Sequence, residues 1–99
     1  MTIPDPLSHK EIADRLAELP GWELSADGRT LCLVHRLPHL VAARLVQQIA
    51  RLQESDGRYA RIVLERDRLT VAITAHDANE TFTEGDFDLA RRISDLASA

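Results

Sequence analysis

The sequence predicts an α+β domain: a four-stranded antiparallel sheet with three helices packed on one face, in the order helix, strand, strand, helix, strand, strand, helix (αββαββα). Three observations carry that expectation. Between residues 61 and 75 apolar side chains recur at every second position, Ile62 and Leu64 and then Leu69, Val71 and Ile73, the period of a half-buried strand. Three further stretches place apolar residues at helical spacing instead. The strands fall into two hairpin-like pairs, each followed by a helix, and such ββα units build an antiparallel sheet with its helices on one face. At 99 residues there is material for one core, so residues 1–99 read as a single domain.

Each element has its own local signal. Residues 1–7, with Pro4 and Pro6, read as an extended lead-in. Ser8-His9-Lys10-Glu11 is a capping box, in which the Ser8 hydroxyl accepts from the Glu11 amide while the Glu11 carboxylate reaches back. Ile12, Leu16 and Leu19 follow at helical spacing, and Pro20-Gly21 ends the first helix. Trp22–Ser25 and Thr30–Arg36 form a hairpin turned at Asp27-Gly28. Within it, Leu31 and Leu33 share one face, and Cys32 and Val34 the other. Pro38 suits the entry to a second helix, from His39 to about Glu54. Its apolar set of Leu40, Val41, Ala43, Leu45, Val46, Ile49, Ala50 and Leu52 is broader than a one-sided stripe. One side is therefore expected to meet the sheet and another a partner chain. The second hairpin, 61–75, is expected to turn at Asp67-Arg68. Thr83 is expected to cap the last helix, with Glu84 and Asp86 near its positive end. Phe87, Ala90, Ile93 and either Leu89 or Leu96 would form its buried stripe.

Composition excludes several classes. The net charge is −4 with no basic cluster, which disfavours nucleic acid, whose phosphates need a positive surface. No apolar run approaches the roughly 18 residues that span a bilayer, and the N-terminus lacks the pattern of a signal peptide. A cytoplasmic protein with no membrane partner is expected. Cys32 is the single cysteine, which excludes an internal disulfide and reads as a packed, inert thiol. His9, His35, His39 and His76 form no His-x-His, His-x3-His or Glu-x-x-His pattern, so no metal site is expected. Glycine-rich phosphate loops and Gly-x-Ser-x-Gly are absent too, and no cofactor is implied.

The stretch Glu54–Asp77 concentrates the chemistry. The loop before the third strand and the residues after the fourth fall at one rim of an antiparallel pair, where Arg58, Tyr59 and His76 can converge. His76 beside Asp77, at a strand end, reads either as a loop histidine hydrogen-bonded to backbone or as a proton shuttle suited to neutral pH.

Leu19-Pro20-Gly21-Trp22, Glu54 ahead of the loop, Asp67-Arg68-Leu69-Thr70-Val71, Thr74-Ala75-His76-Asp77 and Thr83-x-x-Asp86-Phe87-x-Leu89-Ala90 together resemble the pterin-4a-carbinolamine dehydratase family over nearly the whole chain. The resemblance implies the same sheet and helices, with dimers formed through sheet edges and tetramers through the central helix. It also implies a site built on a His-His-Pro triplet before the third strand, an aromatic residue at that strand's end and a histidine after the fourth. In this chain Arg58 and Tyr59 stand at the two histidines, Ala60 at the proline and Arg66 at the aromatic residue, and only His76 is kept. A guanidinium stays protonated and cannot alternate as acid and base. A phenol holds its proton to about pH 10 and accepts poorly near neutrality. One histidine gives partial general catalysis of about 10²–10⁴-fold.

The site Arg58, Tyr59, Ala60, Arg66, His76 and Asp77 is therefore expected to be vestigial, with no catalytic residue in the family's sense. The chain is expected to be a catalytically silent scaffold forming a homo-oligomer, dimer or tetramer. It resembles the degenerate subgroup of α-carboxysome gene clusters that assists Rubisco assembly. That resemblance implies the Rubisco large subunit as partner and association with the carboxysome. Two other readings stand beside it: a divergent dehydratase using His76 with Tyr59 or Arg58, and an anion binder whose pocket Arg58 and Arg66 flank.

Overall fold

The computed structural model describes residues 6–75 and 81–98. Its elements run α1 (His9–Ala17), β1 (Trp22–Leu24), β2 (Thr30–Arg36), α2 (His39–Asp56), β3 (Arg61–Leu64), β4 (Arg68–Thr74) and α3 (Glu84–Ser98). This is the αββαββα order that periodicity predicts. The four strands form one antiparallel sheet in the order β1-β2-β4-β3, so α2 carries the chain across β4 to the far edge.

The α1 capping box forms as read: the Glu11 amide donates to Ser8 Oγ at 3.1 Å and the Ser8 amide to Glu11 Oε1 at 3.1 Å. Gly57, left-handed at φ 83°, closes α2 and sends its N–H to the Gln53 carbonyl at 2.8 Å, a glycine-favoured helix ending. At the start of α3, Thr83 donates to the Asp86 carboxylate from its N–H at 2.9 Å and from its hydroxyl at 3.4 Å. The carboxylate of the third helical residue thus satisfies the backbone ahead of the helix.

One turn forms as read and one differs. The β1–β2 connection spans Ala26–Arg29, closed by the Ser25 N–H on the Thr30 carbonyl at 2.8 Å, with Gly28 at φ 73° inside it. The second hairpin turns at Arg66-Asp67, one residue earlier than expected. Leu64 pairs with Leu69, the Glu65 amide reaches the Arg68 carbonyl at 2.8 Å, and Arg68 already belongs to β4.

The strands' alternation decides which face is covered. Leu31, Leu33, Leu69, Val71 and Ile73 join Trp22 in one buried cluster with Ile12 of α1, Ala42, Leu45 and Ile49 of α2, and Phe87, Leu89, Ala90 and Ile93 of α3. Phe82 and Phe87 meet edge to face, centroids 5.8 Å apart, a favoured aromatic geometry. Leu89 is fully buried and Leu96 half-buried, so both belong to the α3 stripe. Residues of the opposite parity, Cys32, Val34, Thr70 and Ala72, line the uncovered face. Cys32 is half-buried there rather than packed in the core.

Along α2 only Ala42, Leu45, Ile49 and Gln53 are buried, while Leu40 and Val41 are 80% and 52% exposed. The broad apolar set therefore divides into a stripe on the sheet and an outward side that this chain does not cover.

Candidate functional site

β3 and β4 are antiparallel, with Arg61 opposite Ala72 and Leu64 opposite Leu69. The loop before β3 and the end of β4 consequently share one rim. Arg58, Tyr59 and Ala60 lie on it, and Ala75 is where β4 leaves it. His76 and Asp77 lie outside the described residues.

Arg66 is not on that rim. It sits in the β3–β4 turn, past the opposite end of a four-residue strand, and at ~3.3 Å per residue that strand alone measures roughly 13 Å. The expected pairing of Arg58 with Arg66 around one pocket therefore fails. The resemblance places Arg66 at the family's aromatic position, and the β3–β4 turn puts it at the far end of β3 from the loop.

Gln53 positions the loop, and sequence reasoning missed it. It is 5% exposed, at the end of the stripe Ala42, Leu45, Ile49. Its side-chain Oε1 accepts the Ala60 N–H at 2.6 Å while its own carbonyl accepts the Gly57 N–H. One residue of α2 thus anchors both ends of the 57–60 segment. The available signal was a polar residue falling on an apolar helical stripe, since a buried amide needs partners.

Arg58 is held from two sides. Its Nη1 lies 3.6 Å from Asp56 Oδ2, an ion pair too long for a hydrogen bond, with the two side chains 40% and 13% exposed. That oxygen is buried and has no hydrogen-bond partner. It also sits at the last residue of α2, where the helix dipole is negative and a carboxylate is disfavoured. On the other side, the Arg58 guanidinium lies directly against Gly85 in the first turn of α3. Tyr59 points outward and is 64% exposed.

Among the described residues the rim presents a guanidinium paired with Asp56 and an exposed phenol. Among the described residues no cluster of three or more His, Cys, Asp or Glu can hold a metal ion, and no helix is long and apolar enough to cross a membrane.

Comparison with known proteins places this geometry. Residues 5–96 match the family model described as Pterin 4 alpha carbinolamine dehydratase. A Streptomyces avermitilis protein provisionally named a pterin-4-alpha-carbinolamine dehydratase is 44% identical over 94 residues, covering 94% of this chain and 91% of its own. A Streptomyces coelicolor protein of the same provisional name is 41% identical over 95% of this chain and 92% of its own. The crystal structure of a transcriptional coactivator/pterin dehydratase from Brucella melitensis superposes with a TM-score of 0.84 at 23% identity, covering 94% of this chain and 99% of that one; it shares the fold. With nearly its whole length matched by the family model and by relatives at this identity, the chain belongs to the pterin-4a-carbinolamine dehydratase family.

Proposed function

We propose that this member has given up pterin dehydration and serves as a protein-binding scaffold. The observation that carries this reading is Arg58. The residue at the place of the family's first histidine is a permanent cation, already engaged with Asp56 and lodged against Gly85. A group in that condition neither accepts nor returns a proton during turnover. Tyr59, turned to solvent, does not replace the second histidine.

Binding needs a surface, and α2 offers one in Leu40 and Val41, exposed apolar residues on a helix whose other side is buried. The partner follows from the resemblance to the carboxysomal subgroup: the Rubisco large subunit, with the scaffold acting in its assembly. A second reading is favoured by one specific finding, the dehydratase names carried by relatives at 44% and 41% identity. In that reading His76 alone sustains a slower dehydration of a 4a-hydroxytetrahydropterin.

A direct dehydration assay of the purified chain beside a His76→Ala variant separates the two. No turnover above the uncatalysed rate is expected. Turnover that disappears in His76→Ala would install the second reading. Co-expression with the Rubisco large subunit tests the partner: co-purification or a higher yield of assembled Rubisco is expected, and neither effect at high expression removes Rubisco from the proposal.

A further inference from the structure

Gly85 has no local reason to be glycine. It lies in the first turn of a 15-residue helix, and it is not among the glycines at positive φ, which are Gly21, Gly28 and Gly57. Glycine within a helix is disfavoured relative to alanine, because it gives up more backbone freedom on folding. What the position does provide is room. A Cβ built on Gly85 would overlap the guanidinium of Arg58, and its three nearest heavy atoms are Nη2, Cζ and Nε of that one side chain.

The same guanidinium faces Asp56, whose Oδ2 is buried without a hydrogen bond at the negative end of α2. Removing the cation from beside such an oxygen leaves it with neither a hydrogen bond nor an ion pair.

We propose that Asp56, Arg58 and Gly85 form one brace, with Gly85 as the seat that positions the Arg58 guanidinium between the end of α2 and the start of α3. The inference rests on the reading of the rim as non-catalytic and extends it: Arg58 is a positioned structural cation, and Gly85 determines whether the rim can carry it. A Cβ at position 85 would force the flexible end of Arg58 to shift, and its 3.6 Å pairing with Asp56 would shift with it.

The test is a double-mutant cycle on the full chain, Gly85→Ala with and without Arg58→Ala, read by thermal melting. With Arg58→Ala as background, Gly85→Ala is expected to raise Tm by about 4 °C, the ordinary gain of alanine over glycine in a domain this size. With Arg58 present the gain should vanish or become a loss, because the brace is broken at the same time. A readout that helix propensity cannot move is the Arg58 Nε–H resonance. It is expected to be resolved from those of exposed arginines in the wild type and to collapse onto them in Gly85→Ala. Equal Tm shifts in the two backgrounds, or an Arg58 resonance unchanged by Gly85→Ala, would overturn the seat. Dehydration measured on the same samples keeps the two ideas apart. Wild-type turnover would overturn the non-catalytic reading whatever the cycle gives, and additive shifts would overturn the seat even with no turnover.

Discussion

Gln53 shows how much of the site depends on one uncharged side chain. Its amide oxygen is the acceptor for the Ala60 N–H, and its backbone closes α2 through Gly57. Gln53→Leu keeps the volume and the helix but leaves that N–H facing an apolar group. Loss of the partner of this part-buried donor costs about 1 kcal/mol. The expected outcome is a destabilisation of that size in chemical denaturation, with the slope unchanged. A variant as stable as wild type would show that the loop finds another partner for Ala60. Trp22 makes the same point on the other side of the core, where its indole N–H donates to Ser94 Oγ at 2.6 Å and ties β1 to α3. Buried indoles generally find such an acceptor.

At the scale of elements, α1 and α3 are joined by a bidentate ion pair. Arg15 Nε donates to Glu84 Oε1 at 2.9 Å and Nη2 to Glu84 Oε2 at 3.0 Å, the fork geometry that guanidinium and carboxylate favour. Hydrogen bonding to Arg15, helped by its charge, holds the Glu84 carboxyl below its ordinary value of 4.5. The Ser8 amide and hydroxyl do the same for Glu11, also from 4.5, and Ser25 and the Arg29 amide do so for Asp27, from 3.8. A carboxylate with a depressed folded pKa contributes stability that is complete above its unfolded pKa and is lost as pH falls through the folded one. Tm should therefore hold steady above about pH 5 and decline as pH drops below 4.5. Glu84→Gln should flatten part of that decline. All three carboxylates are solvent-exposed, so each effect is small and shrinks with added salt. An acid limb identical in Glu84→Gln would remove the Arg15 pair from this account.

For the molecule as a whole, the described residues cover the sheet on one face, and the outer side of α2 keeps Leu40 and Val41 in solvent. A chain of this length buries a modest core, and association through such a helix adds apolar burial that one copy cannot reach. Tetramer formation through α2, on dimers formed through sheet edges, is the expectation the resemblance adds. Sedimentation equilibrium should show an oligomer in wild type and a smaller species in Val41→Asp, with circular dichroism unchanged. A wild type that sediments as a monomer at tens of micromolar would exclude this surface as a self-contact and leave it to a different partner.

The element order was legible in the amino-acid sequence because its determinants are local. The two-residue period of Leu69, Val71 and Ile73, the box of Ser8 and Glu11 and the buried stripe through Phe87, Ala90 and Ile93 all act within a few residues of themselves. Even the turn displaced to Arg66-Asp67 moved by one position only, set by pairing across the sheet rather than by turn residues. The family was legible for the same reason, as runs of adjacent residues. The condition of its site was legible only in part: the replacements at Arg58 and Tyr59 could be read, but their surroundings could not. That Gln53 holds Ala60, that Arg15 grips Glu84 across 69 residues, that Arg66 is carried away from Arg58, and that Gly85 makes room for a guanidinium are facts of tertiary packing. Each depends on which helix face meets which strand, and no local preference encodes that choice. The sequence by itself determined what the elements are and that a guanidinium and a phenol precede the third strand; only the fold decided what surrounds that guanidinium.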